Sequence, residues 1–411
     1  MKILVIGGGG REHALCWKLA QTAGVEVFAS PGNPGMARVG KCLPLEQAEE
    51  LGADLTVVGP EGPLVEGIVD RFRARGLRIV GPNREAARLE GSKAYAKYFM
   101  QQRGIPTAES VTVDSAEDAR KAVERFGFPV VLKADGLAAG NGVIIAENSA
   151  AAEAALGVLG PPRGRLVVEE FLRGEEVSFI ALSDGRDVAT LAPTQDHKAA
   201  FDGDTGPNTG GMGAYCDSSI LSESQTTEVL ERVIYPTVEA TGFTGFLYAG
   251  LMMTESGPKV LEFNVRLGDP ETQPLMHRMA SDFAPALMAA AEGELGGVKL
   301  EWRREPSVCV VMASGGYPGG FETGKAIHGI EEAERFGVTV FQAGTRMGER
   351  GLETAGGRVL GVTASGGDLA EAIARAYEGV ERIRFEGMHY RRDIGSKGVG
   401  RSGGASVLTT G

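Results

Sequence analysis

Leu261-Glu262-Phe263-Asn264-Val265-Arg266 is the stretch on which the reading of this 411-residue chain turns. Side chains of an extended strand alternate between faces, so Glu262, Asn264 and Arg266 share one face and Leu261, Phe263 and Val265 the other. The second set makes a core face. A carboxylate and an amide oxygen two residues apart are hard ligands suited to Mg²⁺, which prefers oxygen and keeps several waters. An arginine one step further can reach a phosphoryl group bridged by such a metal. A solvated face with a Glu–Arg pair is the plainer alternative. Against it, Gly268-Asp269-Pro270-Glu271-Thr272-Gln273 continues the polar pattern instead of making a simple turn.

Three other segments carry related chemistry. In Val130–Val143 a lysine, Lys133, closes an apolar strand, and the glycine-rich run Ala134–Gly142 leads into the next strand. Glycines let backbone fold over a polyphosphate while the lysine supplies fixed positive charge. No G-K-[ST] follows, so this is not a Walker loop; an ordinary hairpin with a snorkelling lysine is the alternative. Leu166–Leu172 is a buried strand that breaks into the acidic turn Arg173-Gly174-Glu175-Glu176, an edge suited to an adenine pocket. At the N-terminus, Gly7-Gly8-Gly9-Gly10-Arg11-Glu12-His13 joins a strand to a helix, where backbone N–H groups can hold a phosphate. A dinucleotide fingerprint would need glycine where Glu12 stands and an acid after the second strand, which instead runs into Ser30-Pro31-Gly32. Glycines serving only tight packing remain a third reading of this turn.

The remainder sets the frame. At this length several domains are expected. Residues 1–103 alternate strands (3–6, 25–29, 55–58, 78–80) with helices (11–21, 63–75, 84–103), which reads as a doubly wound parallel-sheet α/β domain. Residues 104–300 read as two α+β lobes. The first, about 115–175, has helices at 116–126 and 149–159 and strands at 129–134, 142–146 and 165–171. The second has a long loop at 193–215, a helix at 223–241, strands at 245–253 and 259–265, and helices within 271–293. Residues 301–395 read as a small C-terminal α+β domain and 396–411 as a tail. A net charge of −12 argues against nucleic-acid or anionic-membrane binding. Cys16, Cys42, Cys216 and Cys309 lie too far apart in sequence for a C-x-x-C zinc or redox motif and suit a reducing cytoplasm. With no 18-residue apolar run, a membrane span is not expected.

Together these segments resemble the phosphoribosylamine–glycine ligases (glycinamide ribonucleotide synthetases), a family of ATP-grasp enzymes. The resemblance runs through Gly8–Ala14, Val57–Val65, Leu89–Lys97, Lys133–Val143 and Glu169–Glu176. It continues through Gln195–Lys198, Gly206–Tyr215 (GPNTGGMGAY), Glu262–Gln273 and Gly315–Gly319. It implies a two-lobed ATP-grasp fold in the centre of the chain, holding ATP and Mg²⁺ or Mn²⁺. By resemblance, Lys97, Lys133, Gly140 and Gly142 would contact ATP. Glu169, Glu170 and Leu172 would read adenine, and Glu176 the ribose. Glu262 and Asn264 would hold the metal, and Lys133 and Arg266 would serve catalysis. Gly9, Gly10, Arg11, Glu12, Glu61, Asp196, His197, Lys198, Gly210, Gly211 and Gly213 would hold 5-phosphoribosylamine and glycine. The implied reaction passes through a glycyl phosphate, in a monomer working in the cytoplasm. Neither step needs a protein nucleophile, and the chain offers no convincing Ser–His or Cys–His pair.

Two positions depart from the family pattern: Asn141 stands where a lysine is usual and Ala199 where an arginine is usual. Each removes a positive charge near the expected phosphates, at a cost of roughly 1–3 kcal/mol of binding. Other ATP-grasp carboxylases or ligases would share Lys133, the hinge and the Glu-x-Asn strand, but not Gly206–Tyr215 or Gly8–Ala14. A non-catalytic nucleotide-binding protein is the alternative from another class.

Overall fold

The computed structural model describes residues 1–137, 142–160, 164–349 and 351–400. Five parallel strands, β1 (Lys2–Gly7), β2 (Glu26–Pro31), β3 (Lys41–Cys42), β4 (Leu55–Val58) and β5 (Ile79–Val80), form a sheet in the order β3-β2-β1-β4-β5. Its near-continuous apolar strands are what a sheet buried on both faces requires. The strand order reverses between β1 and β4, and ligands of such sheets bind beyond the carboxyl ends at that switch point. The turns Gly7–Gly10 and Gly59–Glu61 lie there.

The next sheet is antiparallel: β6 (Ser110–Val113), β7 (Val130–Ala134), β8 (Val143–Ala146) and β9 (Leu166–Glu170), in the order β6-β9-β7-β8. Helices Ala116–Phe126 and Ser149–Leu159 cover one face, and both fall where the sequence places them. Ser115 and Asn148 cap them by accepting from Asp118 N and Ala151 N, which satisfies amides otherwise left open in the first turn. Ala119, Ala122 and Val123 on one helix and Ala152, Ala155, Leu156 and Leu159 on the other meet Val130, Leu132 and Val168 in a separate small core. This lobe packs as a unit of its own.

The third sheet is built from β10 (Glu175–Asp184), β11 (Val188–Thr190), β12 (Thr194–Asp196), β15 (Gly213–Cys216), β16 (Thr244–Thr254), β17 (Gly257–Asn264), β18 (Ser307–Ala313), β19 (Thr339–Gln342) and β22 (Arg358–Ser365). Two hairpins stand off it: β13 (Ala199–Phe201) with β14 (Thr205–Asn208), and β20 (Thr345–Gly348) with β21 (Gly351–Thr354). Its main path runs β17-β16-β10-β12-β15-β18-β22-β19, with β11 beside β10. The strands of the C-terminal region extend the central sheet through the β15–β18 pairing.

Several expectations are corrected. The long loop at 193–215 contains β12, the β13–β14 hairpin and β15, because short polar strands such as Thr194–Asp196 carry no apolar alternation. The helix expected at 223–241 opens into a π turn at Leu230–Ile234 before Tyr235 and Pro236. Helical structure within 271–293 divides into Thr272–Arg278 and Ala284–Glu292. β17 ends at Asn264, so Arg266 follows the strand instead of lying in it.

Candidate active site

A cavity of about 640 Å³ lies between the N-terminal sheet, the antiparallel lobe and the edge of the large sheet. That is the size of a small-molecule site. Glu262, Asn264 and Arg266 all line it, and Phe263 and Val265 are buried as the alternation requires. Leu261 and Phe263 also reach the cavity, because a bulge at Leu261 breaks the register with β16. Across the sheet, Gly250 pairs with Glu262 and Tyr248 with Asn264. Arg266 Nη2 donates to Asn264 Oδ1 (3.0 Å) and pairs with Glu90 Oε1 (2.9 Å). Its Nε lies 3.4 Å from Glu61 Oε2. Burial opposes the guanidinium charge, but Glu90 and Glu61 outweigh it and raise the Arg266 pKa. Burial also opposes the charge on Glu262, yet Lys198, Lys133, Lys93 and Arg266 together hold its carboxyl below the usual range.

On the lobe side, Glu169 sits between two lysines. Its Oε2 is 3.0 Å from Lys97 Nζ and 3.1 Å from Lys133 Nζ, and all three side chains are buried. Lys133 Nζ also donates to Leu261 O (2.9 Å), tying the lobe to β17. Lys97 Nζ donates to Thr107 Oγ1 (2.7 Å). Burial dominates at Lys97 and lowers its pKa to about 8 despite Glu169. Glu169 Oε1 is buried with no hydrogen-bond partner among the described residues, an open acceptor in the cavity wall. Leu172 packs with Ala108, Met252 and Leu261 in a small apolar cluster beside it. Glu170 Oε1 takes the Glu109 N–H and a contact from Lys259.

The third wall joins β12 to the β13–β14 region. Lys198 Nζ pairs with Glu176 (3.2 Å) and lies 3.9 Å from Glu262. Burial raises the Asp196 carboxyl to about 7, and Glu271, Glu176 and Glu262 add to the shift against Lys198. Behind it, Glu271 Oε1 accepts from Tyr248 OH (2.5 Å) and Ser178 Oγ (3.2 Å). Arg358 Nη1 donates to Gly210 O (2.7 Å) and Asp269 O (2.6 Å), while Tyr317 OH accepts from Gly210 N (3.2 Å).

Not every residue picked from the sequence reaches this cavity. Arg11, Glu61, Lys97, Lys133, Gly142, Glu169, Glu170, Leu172, Glu176, Asp196, Lys198, Gly210, Glu262, Asn264 and Arg266 line it; Gly9, Gly10, Glu12, His197, Gly211 and Gly213 do not. Glu12 turns inward as a helix cap: it accepts from Gly9 N (2.7 Å) and Arg11 Nε (2.6 Å). A Cβ at Gly7 or Gly59 would collide with that carboxylate, so these two glycines make room for Glu12. His197 is buried against Tyr215 and accepts from Gly395 N through Nε2 (3.3 Å). Gly213 lies in β15, where a Cβ would meet Cys309 O at 2.7 Å, and a Cβ at Gly211 would strike Pro270. The requirement at both glycines is packing. Gly9 and Gly10 abut Asp269 and Gln273. Gly140 and Asn141 lie outside the described residues.

The sequence reading left out Glu90, Lys93, Tyr248, Asp269, Glu271, Tyr317 and Arg358, all in the wall. Asp269 and Glu271 belong to the polar run after Arg266 and were within reach. Tyr317 lies in the Gly315–Gly319 segment, which was singled out without a role, whereas Arg358 is brought in by β22, which no local pattern announces.

Three family models tile the chain: phosphoribosylglycinamide synthetase N domain over residues 1–90, ATP-grasp (A) domain over 91–272 and C domain over 307–397. The chain is 48% identical to the phosphoribosylamine–glycine ligase of Pseudomonas aeruginosa, covering 99% of this chain and 100% of that protein. It is also 48% identical to the enzyme of Escherichia coli strain K12, covering 98% of this chain and 99% of that one. The crystal structure of the Thermotoga maritima phosphoribosylamine–glycine ligase superposes with a TM-score of 0.85 at 36% identity, covering 96% of this chain and 100% of the other. A nucleotide-sized cavity walled by two lysines, an acidic hinge and a Glu-x-Asn strand is thus found in a chain whose relatives match it end to end. It belongs to the phosphoribosylamine–glycine ligase family and is an ATP-dependent ligase of purine biosynthesis.

Proposed function

We propose that the cavity residues divide the ligation of glycine to 5-phosphoribosylamine as follows. ATP lies between the antiparallel lobe and β17, with Lys97 and Lys133 on its phosphates and Gly142 close to them; the part given to Gly140 rests on the resemblance alone. The backbone of Glu170–Leu172 and the open Oε1 of Glu169 read the adenine edge, and Glu176 takes the ribose hydroxyls. Glu262 and Asn264 hold Mg²⁺ or Mn²⁺. No cluster of three or more His, Cys, Asp or Glu side chains suited to a metal occurs among the described residues. Two oxygen ligands with the remainder from phosphate and water is the arrangement Mg²⁺ favours. Bound there, the metal would neutralise charge on the phosphates.

Arg266 donates to the phosphoryl group as glycine carboxylate takes it to form glycyl phosphate. The amine of 5-phosphoribosylamine then displaces phosphate and gives glycinamide ribonucleotide. Arg11, Glu61, Asp196, Lys198 and Gly210 face these two substrates, and Gly9, Gly10 and Glu12 shape the turn behind Arg11. The protein's part is positioning and electrostatics, which is what phosphoryl transfer asks of it.

The observation that carries this reading is the meeting of Lys133, Glu169, Glu262, Asn264 and Arg266 with Arg11 and Glu61 of the N-terminal sheet in one cavity. We divide the chain at residues 103, 300 and 395, with the first part binding substrate and the second ATP. We take the protein to act as a monomer in the cytoplasm, a setting that suits four free cysteine thiols. Incubation with ATP, Mg²⁺, glycine and freshly made phosphoribosylamine should release ADP only when both substrates are present. ADP release that ignores glycine would sink the reading.

A further inference from the structure

Arg266 can aim at a phosphoryl group only if its long side chain is held, and the residue that holds it is Glu90. Glu90 belongs to the short helix Arg88–Gly91, between the N-terminal sheet and the helix that carries Lys97. Its side chain is 8% exposed and both oxygens are used. Oε2 accepts from the backbone N–H of Val265 (2.8 Å), and Oε1 pairs with Arg266 Nη2 (2.9 Å). One carboxylate therefore fixes both the chain next to Arg266 and its guanidinium. The same Nη2 donates to Asn264 Oδ1 (3.0 Å), so the guanidinium decides which way the Asn264 amide faces.

The other contacts of Arg266 are looser. Its Nε lies 3.4 Å from Glu61 with no hydrogen bond formed, and the Glu61 side chain is 29% exposed. Nη1 shares Leu267 O with Arg11, at 3.2 and 3.0 Å. Without Glu90, the charge of Glu61 would draw the guanidinium toward the N-terminal sheet and away from Asn264.

We infer that Glu90 is a positioning residue for phosphoryl transfer, acting through Arg266 and, by way of Arg266, on the orientation of Asn264. The inference rests on the proposed role of Arg266. A carboxylate suits the task because charge-assisted bonds are shorter and stronger than neutral ones. Glutamine keeps the shape but loses the counter-charge.

The test is steady-state kinetics on Glu90→Gln, Glu90→Asp, Arg266→Ala and the Glu90→Gln/Arg266→Ala double variant. Thermal unfolding and ADP affinity in EDTA are measured beside it. Glu90→Gln should lower kcat roughly 10- to 100-fold, the range for partners that orient a working group. KM for ATP and metal-free ADP affinity should stay within about threefold, because Lys97, Lys133 and the hinge are untouched. Glu90→Asp should recover part of the loss. The double variant should be no slower than Arg266→Ala alone, as expected of residues that act as a unit. The inference is overturned if kcat of Glu90→Gln stays within about twofold of the parent, if the two losses multiply, or if ADP affinity falls in step with kcat. If Glu90→Gln does not fold, Glu90→Asp decides: parental kcat overturns the inference, and a lowered kcat with unchanged ADP affinity supports it. Full activity in Arg266→Ala would instead overturn the role given to Arg266 itself.

Discussion

Glu169 shows how much one side chain can hold. Two buried ammonium groups within about 3 Å of one carboxylate oxygen are stable only while that charge is present. Glu169→Gln should therefore destabilise the nucleotide-free protein by about 3 kcal/mol, the usual result of removing one partner from a buried pair. ADP should restore more of the thermal midpoint in this variant than in the parent, since its phosphates can replace the missing charge; an unchanged midpoint without nucleotide would refute the idea. Lys97 adds a pH dependence. The unfolded chain keeps that proton up to its ordinary value of 10.5, whereas the folded site gives it up near 8. Between those values the unfolded state binds more protons, so this group adds stability as pH rises. Its affinity for phosphate moves the opposite way. The profile of kcat/KM for ATP should fall above about pH 8, and Lys97→Met should be low and flat there. At position 141 the expectation comes from the sequence: Asn141→Lys should lower KM for ATP, and an unchanged or higher value would refute it.

Regular elements were legible where periodicity is strong and capping residues are present. The helices at 116–126 and 149–159 carry Ser115 and Asn148 at their starts, and their ends agree with the structure residue for residue. The strand that bears Glu262 and Asn264 was readable because the sequence Leu261-Glu262-Phe263-Asn264 alternates polar with apolar, though not the bulge at Leu261. β12 was not, since three residues give too short a pattern, and its place inside the large sheet is set by pairing with β10 and β15. The N-terminal glycines were half legible. They announce a turn, but only the structure shows that Glu12 fills the space at Gly7 and Gly9, while Gly8 meets Gly32 and Gly10 meets Gln273. A similar close approach fixes β16 against the first sheet. Gly245, at φ +91°, faces the backbone of Gly81, and a Cβ there would stand 2.6 Å from the Gly81 Cα. Gly245→Ala should cost roughly 1–3 kcal/mol through strain and overpacking. Urea unfolding would read the loss, and a midpoint equal to the parent's would show that β5 and β16 can separate freely.

At the scale of the molecule, buried histidines join distant parts of the chain. His13 Nδ1 accepts from Gln342 N (2.8 Å), tying the first helix to β19, and His197 Nε2 accepts from Gly395 N. His277 bonds Ser365 Oγ (2.9 Å). Burial lowers all three to about 4 from an ordinary 6.5. Between those values the unfolded chain takes up protons that the folded one refuses, so stability falls with decreasing pH through that window. The shift at each corresponds to about 3 kcal/mol as an upper figure. Acid unfolding should begin below pH 6, with the C-terminal segment losing its amide protection first; His13→Asn should shift the midpoint toward lower pH, and no shift would remove His13 from the account.

The large sheet has a further consequence, which concerns the order in which the chain is made. The five-stranded sheet is complete once residue 80 has left the ribosome, and the antiparallel lobe once residue 170 has. β15 must wait for Ser307–Ala313, and β18 in turn for Arg358–Ser365, before either has both neighbours. During that interval a growing chain presents a bare β15 edge with open amides and carbonyls, the condition under which nascent chains pair with one another. The part of the cavity wall that Arg358 supplies is thus among the last to form.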